Sequence, residues 1–127
     1  SSVWIDYFNG HSSPETDRLD ALLDTQLLAT GDLMLTEVLQ GFRTDKGFEE
    51  AKRLLTSLEI IELGGREVAL QAATNYRQLR TLGVTVGKTI DTIIATRCII
   101  DGHSLLFADR DFHPFVKHLG MQSALRS

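Results

Sequence analysis

Cysteine is nearly absent: Cys98 is the single one in 127 residues, so neither an internal disulfide nor a multi-thiolate metal site can form, which excludes zinc fingers and disulfide-stapled scaffolds. Proline is almost as scarce, and its two occurrences, Pro14 and Pro114, fit the first turn of a helix, where a missing N–H costs nothing. No apolar run approaches the ~20 residues needed to cross a bilayer, so no membrane span is expected. Positive charge is also in deficit, with 13 basic against 17 acidic residues and a net charge of −4. That balance counts against a protein that grips nucleic acid by bulk charge. No charged-then-apolar leader opens the sequence, and a lone thiol suits a reducing compartment, so a cytoplasmic location is expected.

What is present points to an ordinary folded domain. A mass of 14.1 kDa with 43% hydrophobic and 24% charged residues predicts a single domain over residues 1–127, with one core. The charge is unevenly spread: residues 1–63 hold 12 acids and 5 bases (−7), and residues 64–127 hold 5 acids and 8 bases (+3).

Periodicity predicts helices over Val3–Phe8, Pro14–Leu23, Gly47–Leu58, Glu67–Leu82, Lys88–Asp101 and Pro114–Leu119. A further helix is expected after a Thr30-Gly31-Asp32 cap, with Leu35, Val38, Leu39 and Phe42 on one face. Short strands are expected at Gln26–Ala29, Ile60–Leu63 and Leu105–Ala108, with an edge strand at Gln122–Leu125. Strands of about four residues separated by helices define an α/β class with a short, mostly parallel sheet. Ligands of such sheets sit beyond the carboxyl ends of strands, which directs attention to Asp109 and Asp111, directly after the Leu105–Ala108 run.

Most acids are explained by position. Glu15, Asp17, Asp20, Asp24, Glu49 and Glu50 fall on solvent faces or in first turns, where negative charge favours the helix dipole. Glu37 differs, because it lies within Leu33-Met34-Leu35-Thr36-Glu37-Val38-Leu39 and borders the core; the ordinary account is a carboxylate snorkelling from the edge of the apolar face. Asp91 opens a helix made apolar nearly all round by Ile90, Ile93, Ile94, Cys98, Ile99 and Ile100, and a buried carboxylate is rare without a partner. Asp109 and Asp111 also suit a plain turn. If these acids converge, each pair about 5 Å apart costs roughly 3 kcal/mol at an effective dielectric of 20, so the cluster persists only with protons or a cation. Carboxylates without His or Cys partners are hard ligands that select Mg²⁺ or Mn²⁺ over zinc, and such ions mark phosphoryl chemistry.

Four blocks carry a family resemblance: Ser2-Val3-Trp4-Ile5-Asp6-Tyr7-Phe8, Thr36-Glu37-Val38-Leu39-Gln40-Gly41, Asp91-Thr92-Ile93-Ile94-Ala95-Thr96 and Leu105-Leu106-Phe107-Ala108-Asp109-Arg110-Asp111-Phe112. In this order they resemble the blocks of PIN-domain proteins, specifically the VapC toxins of toxin–antitoxin pairs. The resemblance implies a three-layer α/β/α sandwich and an endoribonuclease that uses one or two Mg²⁺ or Mn²⁺ ions. It further implies RNA as substrate, a cognate VapB-like antitoxin that blocks the acidic groove, a homodimer or higher toxin–antitoxin assembly, and a bacterial cytoplasm. Residue by residue, it makes Asp91 a direct metal ligand, Asp109 a metal or water-positioning ligand, Glu37 a ligand or water-orienting acid, and Asp111 an additional acid. It also places Ser1 or Ser2 as a hydroxyl beside the metal. The family's first acid ends a strand that should precede Ser1; Asp6 falls too late to be that residue, so the first strand with its Asp is expected upstream.

Other features rank lower. His11, His103, His113 and His118 lack metal-ligand spacing and are expected on the surface. Gly83-Val84-Thr85-Val86-Gly87-Lys88-Thr89 superficially resembles a P-loop ending but has the wrong glycine spacing and no strand before it. Glycine there is expected to let the loop approach the site, with Lys88 near enough to Asp91 to contact phosphate. Arg43, Lys46, Arg77, Arg80, Lys88, Arg97 and Arg110 are candidates for tracking an RNA backbone. The Leu35–Phe42 and Phe48–Leu58 segments carry more apolar residues than a small sheet needs, so part of that surface is expected to bind the antitoxin or a second copy of the chain. Two rival readings are a receiver-type phosphate switch, which needs apolar strands leading into its Asp and Lys, and a non-catalytic module that keeps the fold.

Overall fold

Ser13 shows how locally the helices are specified. Its hydroxyl accepts the Thr16 N–H at 3.1 Å while its own N–H donates to Thr16 Oγ1 at 2.9 Å. This reciprocal capping box, with Pro14 at the first helical position, starts the helix α2 (Pro14–Leu23). In the computed structural model, which describes residues 2–25 and 28–125, the chain forms two compact units, Ser1–Glu62 and Leu63–Ser127. The unit boundary coincides with the charge asymmetry, since Leu63 carries no charge: the first unit holds the −7 and the second the +3.

The first unit begins with α1 (Ser2–Phe8), which buries Val3 and Trp4. Trp4 stacks on Phe8 one turn later with centroids 5.9 Å apart, and Tyr7 donates to Asp20 Oδ1 of α2 at 3.1 Å. Burial, followed by this contact with Asp20, pushes the Tyr7 phenol above its usual pKa. The strand β1 (Ala29–Gly31) then runs into α3 (Asp32–Leu39), α4 (Asp45–Thr56) and β2 (Glu59–Ile61). β1 and β2 pair in parallel with Thr30 opposite Ile60, so the two helices form the crossover that parallel pairing requires.

The second unit contains α5 (Arg66–Thr81), α6 (Thr89–Asp101), β3 (Ser104–Leu105), a 3-10 helix (Arg110–Phe112), α7 (His113–Leu119) and β4 (Gln122–Ser123). α5 buries Val68, Ala72, Asn75 and Leu79, a single stripe at spacings of four, three and four. Asn75 is polar on that stripe, and it is satisfied: its amide donates to Thr96 Oγ1 of α6 at 3.1 Å and its carbonyl accepts from Gln71 at 2.9 Å. β3 and β4 pair in parallel, Ser104 with Gln122 and Leu105 with Ser123. α6 ends at Gly102, whose φ of +73° is the left-handed conformation that glycine adopts without strain.

The helices lie close to their expected bounds, and the strands do not. Pairing among the described residues occurs at Ala29–Gly31 rather than Gln26–Ala29, of which Gln26 and Leu27 lie outside those residues. It occurs at Glu59–Ile61 rather than Ile60–Leu63, and the Gln122–Leu125 expectation shortens to Gln122–Ser123. The largest correction concerns Leu105–Ala108: the ladder stops at Leu105, and Phe107 instead packs its ring 5.5 Å from Phe112. Apolar composition predicts burial correctly for Leu105 and Phe107 but not for exposed Ala108, and a ladder also needs an opposing backbone, of which β4 supplies two residues. Phe42 is likewise not on α3, which ends at Leu39; its ring meets Phe8 edge-on at 5.6 Å. α4 starts two residues before Gly47 because Thr44 caps it, accepting the Gly47 N–H at 3.1 Å. A Cβ on Gly47 would fall 3.0 Å from Thr44 Oγ1 and 3.1 Å from Phe42, so glycine makes room for the cap rather than breaking the helix.

Cys98 is buried on α6, and burial, with Asp101 adding a smaller effect, pushes its thiol from 9.0 up to about 11. Because the folded thiol holds its proton more tightly than the unfolded one, it contributes stability that is complete below pH 9 and lost as pH rises toward about 11. Titration with a thiol-reactive chromogenic disulfide at pH 8 should therefore show a thiol that reacts at the unfolding rate in buffer and at once in denaturant; immediate reaction in buffer would contradict its burial.

Candidate metal centre

Three acids of the second unit converge. Asp91 lies in the first turn of α6, where the helix dipole favours negative charge, and the packing of that helix leaves it only 8% exposed. Asp109 is the N-cap of the 3-10 helix, and its Oδ1 accepts the Asp111 N–H at 2.9 Å, which sets both carboxylates on one tight turn. That turn is anchored by buried Phe112 and by the Phe107 ring, which also meets the His113 ring edge-on at 5.3 Å. One carboxylate oxygen from each of Asp91, Asp109 and Asp111 lies within 4.8 Å of the other two.

The donor set suits a hard divalent cation. Oxygen ligands held at about 2.1 to 2.6 Å from one ion sit at most about 4.2 to 5.2 Å apart, so the trio has the right span. It holds no sulfur or imidazole, the donors that would select zinc or copper. Asp91, Asp109 and Asp111 are thus the residues that would hold such an ion, which would offset the repulsion of bringing them together.

The other candidates fall as follows. Asp111 joins Asp91 and Asp109 in the trio. Glu37 is half-buried on α3, in the first unit. Ser2 is the exposed first residue of α1, and Ser1 lies outside the described residues. Lys88 is the exposed N-cap of α6, three residues before Asp91, and its carbonyl accepts the Thr92 N–H. The loop before it does approach the site: a Cβ on Gly87 would stand 3.9 Å from Asp111 Oδ2, an ordinary contact, so space alone does not require glycine there. Asp109 and Asp111 do not directly follow a strand, because Leu106–Ala108 intervene after β3.

Arg97 must be removed from the candidate RNA-tracking set. Its Nε and Nη2 donate to the carbonyls of Leu63 (3.2 Å) and Gly64 (2.8 Å), and Nη1 pairs with Asp101 at 3.3 Å. It clamps the start of the second unit onto α6. Sequence reading missed this because carbonyl partners 33 and 34 residues away leave no mark in side-chain pattern. Arg77, Arg80 and Arg110 are exposed, as are all four histidines.

A hard-cation carboxylate centre on an α/β scaffold is the arrangement of divalent-metal phosphoryl-transfer proteins. The match that sharpens this class runs over residues 1–116, which fit the PIN domain family. The chain belongs to that family, whose α/β fold accommodates these short parallel pairs and whose members are in general metal-dependent nucleases. No helix among the described residues is long and apolar enough to cross a membrane.

Proposed function

We propose that this chain is a VapC-type toxin: an endoribonuclease that hydrolyses RNA phosphodiesters with one or two Mg²⁺ or Mn²⁺ ions and is held inactive by a VapB-like antitoxin. The observation that carries this reading is the Asp91, Asp109 and Asp111 trio, with mutually close oxygens and an all-carboxylate donor set. Membership of the PIN family and the four sequence blocks support it. When bound, the ion supplies water activation and neutralises developing charge on the phosphate.

The chain's own residues have separable tasks in this scheme. Asp91 presents its buried carboxylate from the first turn of α6, so its position is set before substrate arrives. Asp109 is aimed by its bond from the Asp111 N–H, and Asp111 completes the oxygen set. The family resemblance alone would give Glu37 the part of a further ligand or water-orienting acid and Ser1 or Ser2 that of a hydroxyl beside the metal, and Lys88, the N-cap of the helix that carries Asp91, is proposed to contact a substrate phosphate. The chain acts as a single PIN domain in a bacterial cytoplasm. The antitoxin, or a second copy in a homodimer or larger assembly, would cover the Leu35–Phe42 and Phe48–Leu58 segments, whose Leu35, Leu39, Phe48 and Leu54 are half-buried rather than exposed.

Incubation of the purified chain with structured RNA in Mg²⁺, in Mn²⁺ and in EDTA tests the proposal. Cleavage is expected with either ion, should vanish in EDTA and should return when the ion is restored. RNA binding should weaken in EDTA as well, because the bare trio repels phosphate. Cleavage that persists in EDTA, or none under any condition, refutes the reading.

A further inference from the structure

Beside the acidic trio the second unit presents a groove that the metal chemistry does not use. It is an open groove of about 640 Å³, lined by Val84, Arg110, His113, Val116, Lys117 and His118 among others. No Asp or Glu among the described residues lines it. Arg110 is part of the same 3-10 helix as Asp111 and directly follows Asp109, so the groove and the trio share one tight turn. His113 opens α7, with its ring braced edge-on against Phe107, and Lys117 and His118 lie in the last turn of that helix.

The charge of this unit points to the occupant. Of its five acids, three form the trio; the remaining two are Glu67, in the first turn of α5, and Asp101, paired with Arg97. Eight basic residues face that small remainder, so outside the trio this unit is positively charged.

We propose that this groove binds the phosphates of the RNA strand flanking the bond to be cut, and so sets which stretch of strand passes over the trio. This rests on the nuclease reading above. Arg110 offers a planar fork suited to phosphate oxygens, and Lys117 adds a point charge. His113 and His118 each keep at least one N–H donor, and Val84 and Val116 offer an apolar floor for a sugar or base face. An acidic peptide matches the charge too, but the groove residue Arg110 lies between Asp109 and Asp111 in the same tight turn, so a strand held on it lies next to a site where a bound cation would reward a phosphate ester.

The test uses the full chain and a Lys117→Gln/His118→Gln double variant, which leaves the trio and its turn intact. Binding of a fluorescently labelled single-stranded RNA is followed by anisotropy in Ca²⁺ at several salt concentrations, with RNA integrity checked on gels. Mn²⁺ binding to each protein is measured by electron paramagnetic resonance. The variant should bind RNA about tenfold more weakly, with a log–log salt slope shallower by about 0.7 for the lost lysine contact, while Mn²⁺ binding is unchanged. Equal RNA affinity and slope in the two proteins would overturn the proposal, as would absence of RNA binding by the wild type. Displacement of the RNA by polyglutamate of matched charge at equal concentration would also overturn it, and would assign the groove to an acidic protein segment. If the wild type binds RNA through these residues yet never cleaves it, the groove stands and the nuclease reading alone fails.

Discussion

An Asp91→Asn variant should lose metal-dependent RNA cleavage by on the order of 10²- to 10³-fold, the usual cost of deleting one preorganised electrostatic group from a reaction centre. Its metal-free form should nevertheless melt no lower than the wild type. Asp91 has carboxylate oxygens of Asp109 and Asp111 within 4.8 Å. At an effective dielectric of 20, a fully ionised pair at that range opposes folding by about 3 kcal/mol, and by less for the half-exposed Asp109 and Asp111, which solvent screens. Asparagine removes that repulsion and keeps the side-chain volume. In the wild type a divalent ion at 100 times its Kd adds about 2.7 kcal/mol of stability, and the variant should lose most of this increment. Calorimetry with and without Mn²⁺, run beside the cleavage assay, checks both halves. A variant that cuts as well as the wild type removes Asp91 from the chemistry. A variant that melts far lower without metal shows that Asp91 is a structural residue whose loss damages the fold.

The opposite signs of those two effects follow from features legible in the sequence to different degrees. Asp91 was conspicuous because a carboxylate opened a helix apolar nearly all round, and α6 does bury it. Asp109 and Asp111 were also legible, but through a strand longer than the real one: β3 ends at Leu105, and the turn is held by Phe107, Phe112 and the Asp109 cap instead. Helix bounds were close because caps such as Ser13 and Gly102 act over three or four residues, whereas the start of α4 slipped by two because the Thr44 cap went unread. Strand bounds were poor because a ladder depends on a backbone tens of residues away, as Ala29 depends on Glu59. The same distance hid the Arg97 clamp on Leu63 and Gly64. The net charge of −4 misled most, since it averages an acidic first unit with a basic second one, where the trio and the groove both lie.

Phe115→Ala should be the most destabilising single substitution in the second unit, and it should weaken metal binding without touching a ligand. Phe115 is fully buried (0% exposed), and its carbonyl accepts the N–H groups of Gly120 and Met121 at the end of α7. Truncating a buried Phe to Ala costs about 3 to 5 kcal/mol through lost transfer energy and the cavity left behind. A domain of this size has about 5 to 15 kcal/mol in all, so the variant should approach its unfolding threshold at 37 °C. α7 packs against α5 and against the 3-10 helix that carries Asp111, so a loosened α7 allows that turn to drift away from Asp91. The folded fraction at low temperature should therefore show Mn²⁺ affinity reduced by roughly 10- to 100-fold, the effect usual for groups that orient metal ligands. Phe115→Leu, which retains most of the volume, should restore much of both. Denaturant unfolding and Mn²⁺ titration on the same samples separate the effects. Full Mn²⁺ affinity in a strongly destabilised Phe115→Ala protein would show that the acidic turn is held by the Phe107 and Phe112 rings and not by the seating of α7.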